Sequence, residues 1–453
     1  MKNDFLPVET LSKLSASRRR TILRRSTTSQ RDIQPLVERV VADVARNGDA
    51  ALLKYTSKFD RVRLTQQALV VSPREIVAAY QTVYRQNPTL LGAIRSTIEC
   101  VSGYHKGELA QMKRGLKGWE TTVGSKKWGA AGSLKVGQIR TPLDSVGVYV
   151  PGGNAVLLTS AIMALTPAKV AKVPLTVVCS PPSRNGDIDP RIIVAADMSG
   201  ADRIVRAGGA QAVAAMAYGT ESVPRVAKIV GPGNVFVATA KSLVASAGAC
   251  GIDFFAGPSE VLIIADEHTP VEYAARDMLS QSEHDPNASA VLVTTSVKVA
   301  KAVRSRIIAE FKGAGTSSIA QRALAGYGAI LVAESLDAAV EFANEFAPEH
   351  LEIMTLNPRD LLRKVRNAGG IFLGRYTPVA VGDYVCPNHI LPTGGAARFT
   401  SGISIDTFLK KPSFLEVPKK MVRKLDSLIE TLSKAEGLYA QHGLSVHARA
   451  EEE

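Results

Sequence analysis

Glu260-Val261-Leu262-Ile263-Ile264 is followed by Ala290-Val291-Leu292-Val293-Thr294 and then by Ala329-Ile330-Leu331-Val332. Each run is short and almost wholly apolar, with no alternating polar face. Strands of this kind are buried on both sides, as in parallel sheets covered by helices. Leu351-Glu352-Ile353-Met354 and Ile371-Phe372-Leu373 extend the series. An earlier stretch has the same character: Ser145-Val146-Gly147-Val148-Tyr149-Val150, Leu175-Thr176-Val177-Val178-Cys179, Arg203-Ile204-Val205 and Lys228-Ile229-Val230. Helical patterns such as Ser160–Lys172 lie between these runs, and no clear internal repeat relates the two stretches. The chain therefore reads as α/β, with two parallel sheets.

The length, 453 residues, is enough for two or three domains. Apolar content of 45% and charged content of 21% describe a soluble globular protein with sizeable cores. Lys, Pro or Gly interrupts the apolar stretches before membrane-spanning length. Met1-Lys2-Asn3-Asp4-Phe5 has no apolar signal region, and Asp4 and Glu9 precede the basic Arg18-Arg19-Arg20 and Arg24-Arg25. The expected location is the cytoplasm. Four cysteines, Cys100, Cys179, Cys250 and Cys386, lie far apart without a CxxC, which argues against a zinc knuckle or a disulfide framework. Cys179 ends an apolar run and is expected in the core.

A net charge of +13 raises nucleic acid as a partner. The basic residues are scattered, however, among Arg18–Arg20, Lys113-Arg114, Lys126-Lys127, Lys410-Lys411 and Lys419-Lys420, and aromatic content is only 6%. Solvated surface charge is the better reading, with a modest attraction for an anionic cofactor.

Residues 1–35 read as a polar, Arg/Ser/Thr-rich arm. Leu36, Val37, Val40, Val41 and Val44 then form one apolar helix face. Gly48-Asp49 is expected to break that helix, with further helix to about His105. Residues 106–140 hold both tryptophans, Trp119 and Trp128, and read as strands and loops. A tail follows the second α/β stretch, with a helix near Val417–Glu436 and an acidic end, Glu451-Glu452-Glu453.

Several polar segments stand out. Phe346-Ala347-Pro348-Glu349-His350-Leu351-Glu352 sets a carboxylate beside an imidazole, a ready acid/base pair. Thr269-Pro270-Val271-Glu272 reads as a capping box with Pro at the first helical position. The helix it opens is expected to run to about His284, placing Gln281 and His284 on one face of its last turn. Asp383 and His389 lie in a Gly-, Pro- and Asn-marked loop, and Glu436 and His442 lie in the tail. Each of these alone is ordinarily a turn or a surface group. Three glycine-rich turns, Pro151-Gly152-Gly153, Gly208-Gly209-Ala210-Gln211 and Gly231-Pro232-Gly233-Asn234, follow expected strands. Glycine lets backbone approach a phosphate or ribose. None is a GxGxxG and there is no Walker loop, but three at strand ends mark a ligand crevice.

Taken together, these residues closely resemble the histidinol dehydrogenase family. The matching blocks are Gly147–Gly153, Gly208–Tyr218, Ile229–Asn234, Gly251-Ile252-Asp253 with Ala256–Glu260, Gln281–Pro286, Phe346–Glu352 and Gly382–Thr393. The resemblance runs from about Leu36 almost to the C-terminus. It implies NAD-dependent, four-electron oxidation of L-histidinol through L-histidinal to L-histidine, the last step of histidine biosynthesis, with one zinc ion per subunit. It also implies an intertwined homodimer with a shared active site.

Carried over by position, the zinc ligands fall on Gln281, His284, Asp383 and His442, and the acid/base pair on Glu349 and His350. Substrate contacts fall on Ser259, Gln281, His284, His350, Asp383, His389, Glu436 and His442. Cofactor contacts fall on Tyr149, Gln211 and Asn234. The implied fold has two incomplete Rossmann-like domains: a catalytic one over 36–148 plus 258–400 and a cofactor-binding one over 149–257. An N-terminal helical arm (1–35) precedes them, and a helical dimerisation tail (401–453) is exchanged between subunits.

Two departures touch the substrate end. The family reads Gly-Asp-Tyr, two residues, then Gly-Pro-Asn-His, whereas here Val385-Cys386 leads straight to Pro387. In the tail, Gln441 sits near the usual ligand position and His442 follows. The alternative within the same chemistry is a zinc- and NAD-dependent dehydrogenase of another polar alcohol, such as a hydroxylated sulfonate; acidic Glu436 suits an amine instead. A basic nucleic-acid-binding protein on an inactive enzyme fold is the reading from a different class, and steep salt dependence of binding would mark it.

Overall fold

The computed structural model describes residues 5–25, 30–112, 115–124, 133–152, 156–254, 257–312 and 318–451. Gly153, Trp128, Lys113-Arg114, Lys126-Lys127, Ala256 and Glu452-Glu453, all noted above, lie outside them. The described chain forms two compact units, residues 1–105 with 143–408 and residues 106–142 with 409–453.

The first unit holds both parallel sheets. The six-stranded sheet has the order Val8–Thr10, Ala329–Val332, Ser289–Thr294, Glu260–Ala265, His350–Ile353, Gly370–Leu373. The five-stranded sheet has the order Arg203–Arg206, Thr176–Ser180, Val146–Tyr149, Lys228–Val230, Gly251–Ile252. All pairs in both sheets are parallel. In the five-stranded sheet the chain starts in the middle, moves outward, then returns to the other side; in the six-stranded sheet the edge strand Val8–Thr10 comes first and the chain from Glu260–Ala265 onward does the same, so each has a point where strand order reverses. Every residue of Glu260–Ala265 and Ser289–Thr294 is buried, as a sheet covered on both faces requires.

The expected strands all form, within a residue or two of their expected ends. The Val37, Val40, Val41 and Val44 stripe is buried and packs with Val213 and Met216 of the helix Gly209–Tyr218. Helix Gln30–Tyr55 does not end at Gly48. It kinks there, with Gly48 at φ +51°, and Asp49 donates its N–H to Glu221. Cys179 is fully buried.

Three expectations need correction. The segment read as an arm is folded: Val8–Thr10 is the edge strand beside Ala329–Val332, and Ala16–Arg24 is a helix capped by Ser15. Helix Leu90–Gln111 runs past His105. The capping box at Thr269 does not form. Pro270 is the N-cap residue. The Thr269 hydroxyl accepts from Asp266 N–H and donates to the Met354 carbonyl instead, and Glu272 pairs with Arg276 and Arg306.

The second unit contains an antiparallel sheet of Ser413–Glu416, Leu134–Gln138 and Trp119–Val123, and the pair Leu409–Lys410 with Thr141–Pro142. Helix Lys419–Ala435 follows, then a π-helical turn Tyr439–Gly443 and helix Leu444–Ala450. Residues 106–142 thus fold with the tail. Among the described residues no helix is long and apolar enough to cross a membrane.

Candidate active site

The acid/base pair sits at the amino end of the strand next to one edge of the six-stranded sheet. Helix Leu336–Phe346 stops at Ala347, which is left-handed at φ +51°. Pro348 then delivers Glu349, and His350 begins the strand opposite Val261. Glu349 and His350 are both buried, with the carboxylate Oε2 3.4 Å from the imidazole Nδ1. That Nδ1 donates to the Glu260 carbonyl at 2.8 Å, which fixes the tautomer. Nε2 is then left as a bare acceptor, buried and without a partner among the described residues. Burial lowers the His350 pKa to about 4, with His284 and His389 adding to the effect and the Glu260 hydrogen bond opposing it. A neutral imidazole with a free Nε2 is a proton acceptor.

Glu349 has the opposite perturbation. Burial, then the nearby Glu260 and Asp383 charges, push its carboxyl well above the usual range, against the hydrogen bond from Glu260 N–H. That N–H is 2.8 Å from Glu349 Oε2. In return, Glu260 Oε2 accepts the Glu349 N–H at 3.3 Å. Glu260 is thus a hub that sequence reasoning missed. Its one signal was an acidic residue heading an otherwise apolar buried strand.

Of the other expected residues, Asp383, His284 and His389 lie near enough to perturb this pair. Gln281 lies in the last turn of helix Val271–Ser282, buried, with its Nε2 unpartnered among the described residues. His284 stands just beyond that helix end; part of the residue reaches solvent, but burial around its imidazole lowers its pKa. Asp383 lies near the end of helix Val379–Tyr384, and burial raises its carboxyl to about 6. The shortened loop turns back on itself: His389 Nδ1 donates to the Asp383 carbonyl at 2.9 Å, and its Nε2 lies 3.1 Å from Ser160 Oγ. Ser259, next to Glu260, accepts Ser289 N–H. Glu436 and His442 lie in the other unit, Glu436 at the C-cap of helix Lys419–Ala435 and His442 in the π-helical turn.

The residues expected at the cofactor occupy the carboxyl ends of the five-stranded sheet. The Tyr149 hydroxyl accepts from Gly209 N–H at 3.2 Å. Gln211 Nε2 donates to Asp60 at 3.3 Å, and burial raises that carboxyl to about 6. Asn234 caps helix Val235–Ser246, taking Phe236 N–H and Val237 N–H on its side-chain oxygen. Gly231, at φ +110°, leaves no room for a side chain: a Cβ there would stand 2.3 Å from the Tyr149 carbonyl oxygen. The buried pair Lys241–Asp253 ties this turn down, with Asp253 accepting Gly231 N–H and Lys241 donating to Gly231 O. Helix Leu158–Val170, which leaves the same sheet end, brings Ser160 to His389 and accepts from Asn388 on Met163 O at 2.8 Å. This helix thus links the five-stranded sheet to the loop that carries His389.

A buried acid/base pair on a parallel α/β scaffold suits an enzyme that moves protons at a bound substrate. The sequence relationships give the particular family. The histidinol dehydrogenase family model matches residues 23–450. A histidinol dehydrogenase of Methanococcus maripaludis is 42% identical, covering 98% of this chain and 99% of that protein. One from Geobacter metallireducens is 44% identical over 94% of each. The crystal structure of histidinol dehydrogenase from Elizabethkingia anophelis superposes with a TM-score of 0.87 at 33% identity, covering 98% of this chain and 97% of that one. The chain belongs to the histidinol dehydrogenase family and is an oxidoreductase.

Proposed function

We propose that this enzyme oxidises L-histidinol through L-histidinal to L-histidine, with NAD and one zinc ion per subunit, as the last step of histidine biosynthesis in the cytoplasm. The observation that carries the reading is His350: its Nδ1 is committed to a backbone carbonyl, and its free Nε2 is buried beside Glu349. In the alcohol step His350 Nε2 takes the hydroxyl proton. In the aldehyde step Glu349 takes a proton from the attacking water. His389 and Ser259 contact the substrate, and Glu436 balances its ammonium.

Gln281, His284 and Asp383 fit a metal by donor chemistry: an amide, a neutral imidazole and a buried carboxylate favour a borderline cation such as zinc. Among the described residues no group of three or more His, Cys, Asp or Glu is placed to hold a metal ion. We infer that Gln281 and His442 of the partner subunit complete the set. When bound, zinc would hold the substrate's polar groups and so orient its alcohol carbon. NAD, when bound, accepts a hydride in each oxidation; Tyr149, Gln211 and Asn234 would line its site. In this reading 149–257 carries the cofactor, 36–105 with 258–400 carries the chemistry, and the unit of 106–142 with 409–453 carries the tail that crosses to the partner of a homodimer.

The test is NADH yield per molecule of L-histidinol. Two equivalents identify the full reaction; a single equivalent indicates an ordinary alcohol dehydrogenase and refutes the proposal.

A further inference from the structure

Arg25 ends the helix Ala16–Arg24, at the edge of a basic segment, yet it is buried. Its guanidinium lies over the Phe346 ring at 3.6 Å and donates to the Phe346 carbonyl and, at 3.4 Å, to that of Ala347. Its Nε is 3.3 Å from Glu260 Oε1. Every one of these contacts is made to the turn that delivers Glu349 or to the residue that brackets it. Glu260 Oε1 also accepts Gly394 N–H at 2.8 Å, and Oε2 accepts Glu349 N–H.

We propose that Arg25 is a positioning residue for Glu349, acting through Glu260. The inference rests on Glu349 as the water-activating group of the aldehyde step. A buried carboxylate persists only when paired and hydrogen-bonded. The guanidinium favours the ionised form of Glu260 against the opposing effect of burial, and both carboxylate oxygens accept backbone N–H groups. Without it, Glu260 takes up a proton, one oxygen becomes a donor, and the two N–H acceptors are no longer both available. The Phe346–Pro348 turn loses its clamp at the same time, and Glu349 shifts.

The test uses the purified full-length enzyme, assayed separately on L-histidinol and L-histidinal, with folding checked by circular dichroism and thermal melts. Glu349→Gln is the reference for a selective loss of aldehyde oxidation. Arg25→Met is expected to lower kcat on the aldehyde by about 10²-fold, the scale of a misplaced group. KM, and kcat on the alcohol, should change much less. Arg25→Lys, which keeps the charge, should recover part of the loss. The double variant Arg25→Met with Glu260→Gln should be no slower than Arg25→Met alone, because both changes cost Glu260 the same second acceptor oxygen.

Equal losses on both substrates, or losses that multiply in the double variant, would overturn the proposal. If Arg25→Met does not fold, Arg25→Lys and Glu260→Gln carry the decision: neither shifting the ratio of the two rates overturns it. If Glu349→Gln itself slows both steps equally, the reading of Glu349 fails and the inference goes with it. If Glu349→Gln is selective and the Arg25 and Glu260 variants are not, the inference alone fails.

Discussion

His350 has one nitrogen committed and one free, and Glu349 beside it is held by a reciprocal pair of backbone hydrogen bonds. The two groups should therefore separate by step. Glu349→Gln is expected to impair aldehyde oxidation more than alcohol oxidation, and His350→Asn to slow alcohol oxidation, each by about 10²–10⁴-fold. Rates measured on each substrate alone check this; identical losses at both steps for Glu349→Gln would end the division of labour. At this scale the sequence was legible where chemistry and adjacency coincide. Glu349-His350 is visible as a pair because the backbone makes it one. Glu260 and Arg25 were not visible. Arg25 sits in a basic run that ordinarily faces water, and only the fold reveals that a buried carboxylate and an aromatic ring draw it inward.

Three elements that carry site residues meet at a second carboxyl pair. Asp277 on helix Val271–Ser282 faces Glu352 on strand His350–Ile353, and Glu352 accepts Val379 N–H at 2.9 Å from the helix bearing Asp383. Burial, and then Asp277, push the Glu352 carboxyl well above the usual range, while burial raises Asp277 from 3.8 to about 6. Both acids hold protons more tightly folded than unfolded. Their contribution to stability is therefore full below the unfolded carboxyl range and is lost as pH rises through the folded values. Glu352→Gln, which stays neutral, should flatten the fall of Tm as pH rises above the unfolded carboxyl range; melting curves that shift in parallel for the two proteins would refute this. Strands and the long helices were legible because apolar period survives any tertiary context. The Thr269 cap was not, because a hydroxyl has several partners within reach and Met354 and Asp266 won.

For the molecule as a whole, the expected donor set is N/O only, and the cores, three large apolar clusters among them, form without it. Chelation should abolish turnover and leave the circular dichroism spectrum and the cooperative melt in place; full activity in a sample shown metal-free by elemental analysis would contradict this. The tail residue His442 should act in the partner's site. Mixing inactive His284→Ala and His442→Ala chains should then return activity toward about half of wild type per mixed dimer, since one site carries both lesions and the other neither. Proven exchange without recovery would mean that His442 serves its own chain or is no ligand. The order in which the chain is made adds a further consequence. Arg25 and the Phe346 carbonyl it binds are 321 residues apart, and Val8–Thr10 pairs with Ala329–Val332. At about 5–20 residues per second, a ribosome needs on the order of tens of seconds to bridge that interval. Throughout it the first segment of the chain has no edge to join, and the site for Glu349 has no clamp. A nascent chain can complete its five-stranded sheet early, but its acid/base centre closes only once Glu349 and Gly394 have been added, so a chain stopped before them has no means of starting the oxidation.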